Sequence, residues 1–418
     1  MVSTSSLKKF GLLGSLYISQ FMPFWFLYQA LPILLRQKGA SLEAIGLLPA
    51  LLIPVSFKFL WSPFIDAYGF TRWGHYRFWI ICFQLWVVGI TIFCSFLSVE
   101  ENLPLLLVGL AFIAVGSGSQ DIATDALALG LLKPEERGAG NAIQGIGGAI
   151  GRTIGGGGML ILLNRLGWTT SLLSLAAMML FALIPLLFHR EKILPKAHSN
   201  PIKLSFYPKR FFRSSIEYFK IFSNACQRPG FKSWLVILAL ATSGYNLSAT
   251  MFRPLLVDIG FSLEEIGWLM GIFGMTMTIF GSLFASLTIS RLGRKQSFLI
   301  AMSLTLVGIL AKLLPTFGLT QLPVLYSIVS LMFFAVGMTG TTTFTIMMDK
   351  SRQEMAGTDY TLQTSVIPIF SIVSAALSGA IASSIGYRGV FLLGAGIMVA
   401  CISFVSKYLK VSEFDRAA

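Results

Sequence analysis

Apolar runs close to twenty residues long recur through this chain, among them "SLLSLAAMMLFALIPLLF" and "GVFLLGAGIMVACISFV". A helix needs about 20 consecutive apolar residues to cross the hydrocarbon of a bilayer. Inside that hydrocarbon every backbone N–H and C=O must be satisfied internally, which leaves helices or closed barrels. Runs this long and this apolar select helices. Only 12% of the 418 residues are charged, against about 25% in an ordinary soluble domain. The pattern predicts an all-α polytopic membrane protein with twelve spans, near 10–34, 42–65, 76–98, 104–128, 138–163, 168–188, 232–256, 263–288, 297–316, 321–347, 359–383 and 387–407.

A net charge of +14 could suggest a nucleic-acid partner. Its distribution argues otherwise. With both termini cytoplasmic, most Lys and Arg fall in cytoplasmic loops, while Arg36, Lys38, Arg165, Lys312 and Arg388 fall outside. This is the positive-inside bias of membrane proteins, with some attraction to anionic lipid heads. Cys82, Cys94, Cys226 and Cys401 form no CxxC pair, so neither a disulfide framework nor a metal site is expected. The first span is too long for the apolar core of a signal peptide and is expected to be retained.

A long, basic segment at 191–231 separates six spans (1–190) from six more (232–418). The halves repeat. "SLEAIG" at 41–46 returns as "SLEEIG" at 262–267, and "TRWGHYR" at 71–77 faces "SRLGRKQ" at 290–296, an offset of 219. Parallel repeats of this kind build transporters whose solute site lies near mid-bilayer between the repeats.

Several residues are expensive in hydrocarbon. "GSGSQDIATDALAL" at 116–129 carries Asp121 and Asp125. A carboxylate at the centre of a membrane helix costs about 2.5–3.5 kcal/mol, so it should face the bundle interior or a wet cavity. The i, i+4 spacing puts both on one face, about 13 and 7 Å from the cytoplasmic end of the helix. Two such acids do not both ionise readily unless a cation offsets them. Lys58, at similar depth in "SFKFLWSPF", is the expected partner. The cluster is open to two readings: a proton-coupling site, or an ion-pair brace that fixes packing.

Arg152, in "GGAIGRTIGGGG", lies roughly 20 Å from the cytoplasmic end. Its guanidinium can hold an acidic group of a solute, or it can pair with Asp121. The glycines around it fit no phosphate-binding loop; Gly147, Gly151 and Gly155, four apart, suit close packing of a neighbouring helix. Tyr17, Gln20, Gln144, Tyr245 and Asn246 are further candidates for solute contact, though a residue of this kind more often makes a helix-packing hydrogen bond. No nucleophile–base pair, metal cluster or phosphate loop appears at useful spacing, so an enzyme is not expected and no cofactor is implied.

The repeated loop after the second span of each half resembles the G-x-x-x-D-R-x-G-R-R signature of the major facilitator superfamily. The first copy keeps Asp66, Arg72, Gly74 and Arg77; the second keeps Arg291, Gly293, Arg294 and Lys295, with Ser290 in place of the acid. The resemblance covers nearly the whole chain and implies the major facilitator fold, alternating access, and a cytoplasmic latch or ion-pair gate at these loops, with monomer the default. "SQDIATDALALGLLKPEERGAGNAIQ" and "KFLWSPFID", which contains Lys58 and Asp66, resemble the group of AmpG-type muropeptide permeases and acetyl-CoA transporters. Within it, "GSLYISQFMPFWFLYQALPILLRQKG" and a length of twelve spans look most like siderophore permeases related to the pyochelin and rhizobactin importers. That resemblance implies proton-coupled import of a siderophore across a bacterial inner membrane. Muropeptide or other sugar-peptide uptake, and export or flipping of an amphiphile, stay open as alternatives.

Overall fold

The computed structural model describes residues 4–27, 31, 53–69, 73–99, 101–191 and 220–409. Arg36, Lys38, the "SLEAIG" copy, Arg72 and most of the 191–231 segment lie outside these. Among the described residues all regular structure is helical. The main helices are α1 (Thr4–Trp25), α2 (Ser62–Ala67), α3 (His75–Ser95), α4 (Leu103–Leu131), α5 (Arg137–Thr153), α6 (Met159–Phe188), α7 (Phe231–Asp258), α8 (Gly274–Ala311), α9 (Leu322–Lys350) and α10 (Ala356–Tyr408). Among the described residues, seven helical stretches are long and apolar enough to cross a membrane.

Three of those seven bend at a single glycine and hold two spans each: Gly167 in α6, Gly293 in α8 and Gly386 in α10. Each has φ between 70° and 79° with ψ near 180°, a region that essentially only glycine enters. Gly74, just before α3, takes a similar shape at φ 92° and ψ 160°. The pairs Gly74/Gly293 and Gly167/Gly386 are each 219 positions apart, the offset of the sequence repeat. The duplication therefore extends to backbone dihedrals. One copy also carries a capping box, in which Glu265 accepts from the Ser262 N–H and hydroxyl while the Glu265 N–H donates to Ser262 Oγ.

The chain forms two compact units. The first comprises Met1–Lys133, Ile146–Ser214 and Ser351–Thr361; the second comprises Pro134–Gly145, Ser215–Lys350 and Leu362–Ala418. Each contains a short segment from the opposite half of the sequence. The first packs Met22, Phe26, Val87, Leu110, Met159 and Leu172 into its core. The second packs Phe252, Leu255, Leu269, Met332 and Phe391. Outward-facing side chains are apolar too, including Phe181, Phe188, Trp268 and Leu392, a surface that suits lipid tails rather than water.

Within the first unit, the glycine stripe meets α1. A Cβ built on Gly151 would stand 2.6 Å from the Ile18 carbonyl oxygen, one on Gly147 2.9 Å from Tyr17 Cβ, and Gly155 lies against the Met22 carbonyl. Backbone atoms cannot move aside as a flexible side chain can. Gly151→Ala is therefore expected to destabilise by about 1–3 kcal/mol, read as a lower unfolding midpoint of the solubilised protein. Gly157→Ala, which meets open space, is the control. Equal midpoints for the two would mean that α1 and α5 are not in such close contact.

Candidate functional site

The close approach of α5 to α1 leaves Tyr17 and Gln20, one turn apart on α1, to meet α4. There the carboxylates of Asp121 and Asp125 wait, one turn apart in turn. Tyr17 donates its hydroxyl to Asp125 Oδ1 at 3.0 Å, Gln20 Nε2 donates to Asp121 Oδ1, and Lys58 Nζ forms an ion pair with Asp121 Oδ2. Tyr17, Gln20, Lys58 and Asp125 are all buried. Lys58 reaches this point from a 3₁₀ turn, Lys58–Leu60, just before α2. Five of the residues expected from sequence thus form one cluster in the first unit. It holds two carboxylates and one ammonium, so it becomes neutral on gaining a proton or a cation.

The cluster rests on a second polar layer that the sequence reading missed. Gln84 Nε2 donates to Ser19 Oγ at 2.5 Å and to the Met179 carbonyl at 2.6 Å, while Gln120 Nε2 donates to Gln84 Oε1 at 2.6 Å. The Trp61 indole donates to Ser119 Oγ at 3.0 Å. These bonds tie α4 to α1, α3 and α6 beside the acids and hold their rotation. Glutamines within apolar spans were the available signal. Arg152 lays its guanidinium on the Trp25 ring, 4.1 Å from its centre, while Asp121 is held by Lys58 and Gln20.

Asp66 ends α2 beneath the first turn of α10. Its Oδ1 accepts from the Gly357 N–H at 2.9 Å and the Tyr76 hydroxyl at 2.9 Å; its Oδ2 accepts from the Thr358 N–H at 2.7 Å and hydroxyl at 2.6 Å. The first N–H groups of a helix lack intrahelical partners and carry a positive partial charge, which an anion satisfies. Burial pushes the Asp66 carboxyl up, with the Thr358, Tyr76 and Gly357 hydrogen bonds pulling it down.

In the second unit, Asp349 at the end of α9 takes the part expected of the acid absent at Ser290. Arg137 Nη1 reaches its Oδ1 at 2.6 Å and Arg294 Nε its Oδ2 at 3.0 Å, while Arg294 Nη2 donates to the Pro134 carbonyl at 2.8 Å. Arg294 is buried in this cluster, whereas Arg291 is exposed and outside it.

Gln144 is buried in the second unit. Tyr245 and Asn246 line a cavity of about 320 Å³ there, together with Thr305, Thr339, Thr343 and Ser371. Asn246 Nδ2 donates to Ser371 Oγ at 3.1 Å. Hydroxyls and an amide on otherwise apolar walls, at the lower end of the usual ligand-pocket volume, can hold a polar solute. Lys312, expected on the outer side near the end of its span, is instead fully buried in this unit, because the helix end that carries it packs against α7.

Helices that expose apolar surface outward and enclose ion pairs and a hydroxyl-lined cavity define a multi-pass membrane transporter. The chain belongs to the Major Facilitator Superfamily, whose family model matches residues 13–367. It is 28% identical over 386 residues to an uncharacterized protein of Haemophilus influenzae, covering 88% of this chain and 87% of that one. It is also 28% identical over 267 residues to the anhydromuropeptide permease of Escherichia coli K12, covering 63% of this chain and 52%, about half, of that permease. Among solved structures, the human organic anion transporter MFSD10 shares the fold, with a TM-score of 0.73 at 14% identity over 96% of this chain and 100% of that one. These relatives are transporters and permeases where a role is named, not enzymes.

Proposed function

We propose that this protein is a proton-coupled permease of the bacterial inner membrane that takes up an acidic sugar-peptide of the muropeptide type by alternating access. The observation that carries the coupling is the buried cluster of Tyr17, Gln20, Lys58, Asp121 and Asp125. One proton neutralises its charge, which lowers the cost of carrying it through a water-free intermediate. Lys58 holds Asp121 in the unprotonated cluster, and protonation of an acid releases that hold. The solute class rests on the likeness to the anhydromuropeptide permease. That likeness favours a sugar-peptide over the ferric siderophore that the residues of the first span suggest. Arg152, beside Trp25, is the first unit's contact for oxygen atoms of the solute's sugar. Protons, the solute and membrane lipids are the partners, with both termini cytoplasmic and the chain working as a monomer.

Uptake into cells with and without the gene tests this, using labelled anhydro-sugar peptides beside a panel of radio-iron siderophores, each with a protonophore control. The expected result is gene-dependent, protonophore-sensitive uptake of the sugar-peptide alone. Uptake of a ferric siderophore instead overturns the solute. Greater accumulation in cells lacking the protein reverses the direction to export.

A further inference from the structure

Lys312 follows the last residue of α8, and its side chain is fully buried. Its ammonium donates to Ser248 Oγ at 3.1 Å and lies 5.7 Å from the Tyr245 ring centre and 5.6 Å from that of Phe252. Among the described residues no carboxylate pairs with it. A buried ammonium without a counter-ion is costly; one hydroxyl and two ring faces offset only part of that cost. The group is set up for an anion that the described residues of the second unit do not supply.

The helices that hold it lead to the cavity. Thr305 precedes Lys312 by seven residues, two turns of α8, so both leave the same face. On α7, Tyr245, Ser248 and Phe252 recur at helical spacing along one face. Thr305 and Tyr245 line the cavity; Lys312, Ser248 and Phe252 form the next layer. Tyr245 belongs to both, one wall of the cavity and one neighbour of the ammonium. We propose that Lys312 is the anion receptor of this cavity and binds a carboxylate of the solute, which reaches it when the Tyr245 ring turns aside. The hydroxyls and amide on the otherwise apolar walls then hold the neutral, polar part of the same molecule. This deepens the reading of the solute as an acidic sugar-peptide and rests on it for the sugar, but the carboxylate is tested by itself.

The probes are trialanine blocked by an N-acetyl group and trialanine carried on an anhydro-sugar, each as the free acid and as the C-terminal amide. Binding is measured by equilibrium dialysis on the full-length protein in lipid nanodiscs. The unaltered protein is expected to bind each acid about tenfold more tightly than its amide, the order of a charge-assisted hydrogen bond. Lys312→Met is expected to bind acid and amide alike, and Lys312→Arg to keep the preference. An acid preference that survives in Lys312→Met overturns the proposal, and so does its absence from the unaltered protein with both probe types. Acid preference with no gain from the sugar leaves Lys312 as the receptor and sinks the sugar-peptide reading instead. Should Lys312→Met not be recovered folded, acylation of Lys312 in the unaltered protein replaces it, followed by mass spectrometry. Protection by the acid but not the amide supports the assignment; equal labelling overturns it.

Discussion

Lys58→Met is expected to lower folding stability by about 3–5 kcal/mol, the usual cost of removing one partner from a buried ion pair. Asp121 would keep its hydrogen bond from Gln20 but lose the ammonium paired with it. The double variant Lys58→Met/Asp121→Asn removes both charges and is expected to regain most of the loss, since the Gln20 amide can still meet an amide oxygen. Unfolding midpoints of the parent, Lys58→Met, Asp121→Asn and the double variant close this cycle. Transport then separates the two readings of the cluster. If the pair only braces the helices, the stable double variant accumulates solute as the parent does. If the pair couples transport to protons, the double variant exchanges solute down its gradient but no longer concentrates it.

Asp349→Ala is expected to cost a similar amount, about 3–5 kcal/mol. It leaves the Arg137 and Arg294 guanidiniums, both largely buried, without the carboxylate that each contacts. Arg291→Met, on an exposed residue of the same repeated loop, should fall within about 0.5 kcal/mol of the parent. Thermal unfolding of the two variants side by side is the check. An unchanged midpoint for Asp349→Ala would mean that the arginines find other partners and that the bridge contributes little.

The legible part of the site was the part that violates local expectation. Asp121, Asp125 and Lys58 stand out because a charge in an apolar run requires a partner, and few partners lie at matching depth. Tyr17 and Gln20 followed from helical spacing alone. The glycine stripe announced a close helix contact, and the structure supplies α1 as the neighbour. What stayed hidden depends on distant packing. Lys312 sits in "AKLLPTFG", where a lysine near the end of a span normally extends its ammonium to the interface; only the seating of that helix end on Ser248 buries it. The acid missing at Ser290 is supplied from 59 residues further along, by Asp349; the sequence marks that residue as a cap or latch at the cytoplasmic end of its span, but no spacing rule links the two positions. Gln84 and Gln120 each read as an isolated polar residue until α3 and α4 are placed side by side.

The hydrogen bonds of Asp66 bear on how the protein is made. Its backbone partner at Gly357 lies 291 residues further along the chain. A ribosome adding about 5–20 residues per second needs roughly 15–60 s to cover that distance. Through that interval the Asp66 carboxylate lacks its Gly357 and Thr358 donors, and of the four bonds only the one from the Tyr76 hydroxyl can form. The first unit is therefore completed by residues translated long after Asp66, and a nascent chain released before Thr358 leaves that unit unfinished. Quality control that senses the unsatisfied Asp66 carboxylate would be reading whether synthesis had passed Thr358.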